Sequence, residues 1–146
     1  MPPRREFRGA RISPAGKGGS DFPETELTEK IIGCAIAVHR ALGPGFLDAI
    51  YEKALALEMS KQGLRVERQR IVRIYYDGTE VGEHRIDLFV NGRVVLELKC
   101  ADGISEKHLA QVISTLKAVG AEVGLLINFD EARLVDGIRR VVLTQS

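Results

Sequence analysis

No tryptophan occurs among the 146 residues, and aromatic side chains make up only 5% of them. A protein that grips single strands by stacking successive bases on aromatic rings is therefore disfavoured. Cysteine is almost as scarce: Cys34 and Cys100 stand far apart and match no metal-binding spacing. Two isolated thiols suit a reducing compartment, so the cytoplasm is the expected location, with a single Cys34–Cys100 disulfide as the alternative. The longest apolar run, Ile31 to Val38, is too short to span a bilayer. The arginines near the start are not followed by the hydrophobic segment of a signal peptide. A charge excess is missing too: 21 Lys and Arg against 20 Asp and Glu leave a net charge of +1. Attraction to a polyanion must then come from local clustering. With 45% apolar residues over this length, the chain can bury the core of one domain without staples.

Residues 1–23 read as a disordered basic arm. Pro2, Pro3, Pro14 and Pro23, with the run Gly16-Lys17-Gly18-Gly19-Ser20, leave little to bury. Arg4, Arg5, Arg8, Arg11 and Lys17 oppose only Glu6 before Asp21. Such an arm either grips phosphates or is a solvated tail.

The folded domain is expected over residues 24–146. Leu27, Ile31, Cys34, Val38 and Leu42 recur at helical spacing and predict a helix over 26–42, stopped by Gly43-Pro44-Gly45. A second helix over 47–62 would bury Leu47, Ile50, Ala54 and Leu57, with Asp48 in its first turn, where the dipole favours a carboxylate. Val66 to Tyr76 is rich in β-branched and aromatic residues, and Asp77-Gly78 is a hairpin turn leading into a strand from Thr79 to Val90. Asn91-Gly92 turns the chain into a third strand, Arg93 to Cys100. Leu109, Val112, Ile113, Leu116 and Val119 predict a helix over 105–119. The apolar run 123–127 suits a strand covered on both faces. A helix between the third and fourth strands implies a right-handed crossover and parallel pairing. Residues 133–143 would add a short edge strand. The fold class is α/β: a central mixed sheet, made of a three-stranded antiparallel meander plus a parallel strand after a crossover helix, with two N-terminal helices.

Chemistry concentrates between Arg85 and Lys99. Arg85 and Asp87 alternate with Ile86, Leu88 and Val90; Glu97 and Lys99 alternate with Leu96 and Leu98. Two neighbouring strands thus carry charge inside buried-looking sequence, which is costly unless the charges pair or bind a metal. Two carboxylates beside a lysine suit a hard cation, with Asp87, Glu97 and the Leu98 carbonyl as ligands. A cross-strand salt bridge on a solvent-facing sheet is the competing reading of the same spacing. Strand parity separates the two. A strict two-residue turn at Asn91-Gly92 would pair Asp87 with Leu96 and set Asp87 and Glu97 on opposite faces. A shared cation needs the carboxylates within roughly 4–6 Å, so an odd-length loop, or an equivalent bulge in the second or third strand, is expected.

Further matches span residues from about 26 to 142. They are Leu27 to Gly33, Val38-His39, Leu42 to Gly45, Tyr51-Glu52, Arg85-Ile86-Asp87, Glu97-Leu98-Lys99, Gln111, Gly124 to Phe129 and Asp136-Gly137-Ile138. In this order they resemble the GxxExxY protein family of the PD-(D/E)XK nuclease superfamily. The resemblance implies a restriction-endonuclease-like core and a metal-dependent nuclease-type phosphodiester hydrolase acting on nucleic acid, DNA before RNA. It implies magnesium, or manganese in its place, bound by Asp87 and Glu97, with Asp48 as an outer or additional ligand. Lys99 would orient the attacking water, and Gln111 would orient phosphate or water. A homodimer or larger complex is compatible with so small a chain. Two departures stand out. Asp48 occupies the Glu position of the name-giving motif Gly45-x-x-Asp48-x-x-Tyr51, and Thr115 replaces the tyrosine often found after Gln111. They keep a second reading open, a catalytically weak or inactive nucleic-acid-binding or accessory module of the same fold. His39 is expected to be structural and His84 half-buried. His108 either faces the site or is an exposed surface histidine, and Arg85 either clamps a phosphate or pairs with a neighbouring carboxylate.

Overall fold

In the computed structural model, which describes residues 5–15 and 23–144, seven strands share one sheet. They are β1 (Arg5–Phe7), β2 (Ala10–Pro14), β3 (Val66–Tyr76), β4 (Thr79–Val90), β5 (Val94–Lys99), β6 (Val123–Asn128) and β7 (Ile138–Leu143). Their order across the sheet is β1-β2-β7-β6-β5-β4-β3. Three helices, α1 (Thr25–Leu42), α2 (Asp48–Lys61) and α3 (Glu106–Val119), cover its faces. β5 and β6, joined through α3, run parallel; every other neighbouring pair runs antiparallel. This is the expected restriction-endonuclease-like arrangement, a meander of β3, β4 and β5 extended by a parallel strand.

Two-residue alternation divides the core into two layers. Leu88, Val90, Val94, Leu96, Leu98, Leu125 and Ile127 pack against Ile31, Tyr51, Leu55 and Met59 of α1 and α2. Phe89, Val95, Leu126 and Val141 point the other way, into Leu109, Val112, Ile113 and Leu116 of α3. β6 is buried along its whole length, as a strand sandwiched between helices must be. α3 lies close to the sheet because residue 124 is glycine. A Cβ there would come within 2.9 Å of Val112 Cγ1 and 3.3 Å of the Val95 carbonyl oxygen.

Three expectations need correcting. The face of α2 is not the one expected: Leu47 is 75% and Leu57 65% exposed, while Tyr51, Leu55 and Met59 are buried. The helix carries two apolar stripes, and periodicity does not choose between them. Tyr51 chooses, by stacking on Phe129 (centroids 4.4 Å apart, planes 10° apart) and donating its hydroxyl to the Gly43 carbonyl. Part of the expected disordered arm is a hairpin: β1 and β2 join through Arg8 and Gly9, both in the left-handed region (φ 52 and 82). Ala10 and Ile12 are buried on the α3 side. Residues 1–4 and 16–22, including Arg4 and Lys17, lie outside the described residues. Finally, β7 is not an edge strand, because β2 pairs along it from Ala10↔Leu143 to Pro14↔Arg139.

Candidate active site

Three residues, Asn91-Gly92-Arg93, lie between the paired Val90 and Val94, so the loop is odd in length as parity required. Asn91 and Gly92 both adopt left-handed conformations (φ 53 and 64), which these two residue types tolerate best. Asn91 also docks the loop on the start of β3. Its amide donates to the Arg65 carbonyl and its Oδ1 accepts from the Arg65 amide, each at 2.8 Å. The resulting register, Leu88↔Leu96, Phe89↔Val95 and Val90↔Val94, carries Asp87 towards Glu97 on the α3 face.

Beyond Leu88 the ladder between β4 and β5 gives way to a side chain: Asp87 Oδ2 accepts the Leu98 amide proton at 2.8 Å. Glu97 is buried, and its carboxyl is pushed up to about 8. Burial is the main cause, followed by the charge of Asp87 and a side-chain hydrogen bond with it, against a lowering by Lys99. Asp87 is thus an immediate electrostatic neighbour of Glu97. Lys99, two residues further along the same face, is half-buried, and its Nζ donates to Gln111 Oε1 at 3.4 Å from α3.

His84 joins this group, with Nε2 3.1 Å from Glu97 Oε1. Sequence reasoning placed it half-buried, as it is, but missed the contact. In a regular strand His84 and Asp87 point to opposite faces. Here Ile86 packs on the α3 side while Leu88 and Val90 pack on the other, so the alternation slips between them. Ile86 was expected beside Leu88 and Val90. The slip faces Gln69 of β3, held at φ 53 between the pairs Arg68↔Leu88 and Arg70↔Ile86. Buried Glu52 of α2 fixes that kink, accepting from Gln69 Nε2 at 2.6 Å and Arg68 NH2 at 3.1 Å. Glu52 had no assigned role in the sequence, and no spacing there signals the kink.

Asp48 stands apart. It is the exposed first residue of α2, and its carboxylate neighbours Cys100 rather than Glu97. Burial, then the charge and hydrogen bond of Asp48, then Asp130, raise the Cys100 thiol to about 11. Cys100 packs against the α1 and α2 layer, so Asp48 meets the chain just past the end of β5. Thr115 is buried and donates to the Gln111 carbonyl at 2.9 Å, back onto its own helix. His108 caps α3, its Nδ1 accepting from the Ser105 amide and its own amide donating to Ser105 Oγ. Burial first, then Lys99 and Lys107, lower its pKa. His39 is buried with Nε2 2.8 Å from the Glu131 carbonyl oxygen, a structural contact, and Arg85 is exposed.

The structure thus brings Asp87, Glu97, Lys99, Gln111 and His84 together and leaves Asp48 one step away. Among the described residues no group of three or more His, Cys, Asp or Glu is arranged as a metal cluster. The donor set nevertheless suits a hard cation. Buried Glu97 stands beside half-buried Asp87, and a divalent ion bound by their oxygens would offset first the cost of burying the Glu97 anion and then its repulsion from Asp87. Among the described residues no helix is long and apolar enough to cross a membrane.

Residues 25–141 match the family model of the PD-(D/E)XK nuclease superfamily. No curated protein matches the chain. Proteins of that superfamily are usually nucleases and commonly use divalent metals.

Proposed function

This chain belongs to the PD-(D/E)XK nuclease superfamily, and from that premise we propose a metal-dependent phosphodiester hydrolase of the GxxExxY group acting on nucleic acid, DNA before RNA. The supporting observation is the meeting of Asp87 and Glu97 where β4 and β5 part, with Lys99 next on the same face. Asp87 and Glu97 would hold magnesium, or manganese in its place, with the Leu98 carbonyl as a further oxygen. A bound cation of this kind lowers the pKa of water and neutralises phosphate charge. Lys99 orients the attacking water and offsets the negative charge that grows on the phosphorus oxygens during in-line displacement. Gln111 holds the Lys99 ammonium at 3.4 Å and so fixes its reach. Asp48, beside Cys100 at the β5 terminus, would serve as an outer or additional ligand. Water is the nucleophile, so no covalent intermediate forms.

A second reading, a binding or accessory module without vigorous catalysis, draws on Asp48 standing beside Cys100 and on Thr115 turning back onto its helix. Cleavage assays on linear DNA, circular DNA and RNA with added Mg2+ separate the two readings. We expect chelator-sensitive cleavage that is lost in Asp87→Asn, Glu97→Gln and Lys99→Ala while all three remain folded. Cleavage surviving in both carboxylate variants would refute the assignment. Nucleic-acid binding without any cleavage would favour the module.

A further inference from the structure

We propose that His84 is a positioning residue for the cation site, holding Oε1 of Glu97 so that Oε2 is left for the metal. The inference rests on Asp87 and Glu97 being the ligands. Each acid is tethered by one nitrogen: Asp87 by the Leu98 amide at 2.8 Å, Glu97 by His84 Nε2 at 3.1 Å. Among the described residues His84 supplies the only side-chain nitrogen within hydrogen-bonding distance of the Glu97 carboxyl. Lys99, on the same strand, donates instead to Gln111.

A metal-bound carboxylate is anionic, so in that state the imidazole N–H donates to Oε1. A donor on one oxygen fixes the carboxylate's rotation and spares the cation the work of ordering it. Glu97 has three rotatable side-chain bonds, and once ionised beside Asp87 an untethered head would turn away by repulsion. The His84 side chain is 40% exposed, against 7% for Glu97. Its outer edge borders a cavity of about 390 Å³ shared with Ile74, Lys107, Gln111 and Ser114. Replacing it therefore opens no hole in the core, and variants at this position should fold.

The test is calorimetric titration with Mg2+ alone on the full chain, comparing wild type, His84→Ala, His84→Phe, His84→Gln and Asp87→Asn, with thermal unfolding as the folding control. The Phe variant keeps a ring without a nitrogen, and the Gln variant keeps a terminal N–H. Loss of an outer-shell partner weakens metal binding about 10–100-fold, which is expected for Ala and Phe. Gln should stay close to wild type, and Asp87→Asn should abolish the signal. Equal affinity in wild type and the Ala and Phe variants overturns the role of His84 while leaving the acid pair intact. Retention in Phe but not Ala means bulk alone matters, and loss in Gln equal to that in Phe removes the hydrogen bond as the cause; either overturns the proposal. A wild type that binds no Mg2+ overturns both this inference and the metal reading beneath it.

Discussion

Replacing Glu97 with Gln should stabilise the metal-free protein above about pH 5 while abolishing its activity. The folded protein holds the Glu97 proton up to about 8, against 4.5 for an unperturbed glutamate, because burial and then Asp87 disfavour the anion. Between those values the folded state binds more protons than the unfolded state, so stability falls as pH rises through the window and levels off above it. At about 1.36 kcal/mol per pH unit the full interval corresponds to roughly 5 kcal/mol. Glutamine never ionises, and its amide can still donate to Asp87. The gap between variant and wild type should thus be near zero at about pH 4 and reach about 2–5 kcal/mol near pH 8. Urea unfolding in the presence of a chelator, repeated across this range, measures it. Adding Mg2+ should restore wild-type stability at the alkaline end, since a ligand bound only by the folded state raises its stability, and should do nothing for Glu97→Gln. A gap that is flat with pH, or a variant destabilised throughout, would refute the argument that burial and Asp87 together strain this carboxyl.

Other substitutions probe how the scaffold holds the site. Gly124→Ala would push a methyl to 2.9 Å from Val112 and 3.3 Å from the Val95 carbonyl oxygen; it should cost about 1–3 kcal/mol in urea unfolding. Lifted α3 should also loosen the Lys99–Gln111 contact and lower cleavage, and unchanged stability would show that the helix yields freely. Deleting residues 1–15 removes β1 and β2 and bares β7; losing Ile12 alone should cost about 1.5–3 kcal/mol, so an unchanged unfolding midpoint would contradict the hairpin's part in the core. Asp48→Glu lengthens the carboxylate that now stands by Cys100. Cleavage should be equal or higher and Mg2+ binding tighter, whereas a large loss would mean that the surroundings have adapted to aspartate.

The parts of this protein that were legible in its sequence are those where one local rule decides. Leu109, Val112, Ile113 and Leu116 make a single apolar stripe, and α3 buries those side chains. Loop parity at Asn91-Gly92 required an odd connection before Asp87 could approach Glu97, and three residues lie between Val90 and Val94. The rest needed information from distant residues. In α2 the stripe through Tyr51, Leu55 and Met59 competes with another through Leu47, Ile50 and Leu57, and Phe129, far along the chain, decides between them. The alternation of Ala10 and Ile12 is too short to stand out among prolines and glycines, and only β7 makes it a strand. His84 reaches Glu97 because β4 slips beside Gln69, a left-handed residue anchored by Glu52 from another helix. A period-two pattern read along one strand contains none of that.

Anomalous diffraction from crystals soaked in Mn2+ would locate the cation itself. One strong peak is expected on the α3 face where β4 and β5 part, with an oxygen of Asp87 and an oxygen of Glu97 both about 2.1 Å from it, an octahedral distance for a small hard cation. A peak bound by Asp48 and Asp130 alone, or no peak at Asp87 and Glu97, would contradict the assignment of the cation to these two acids.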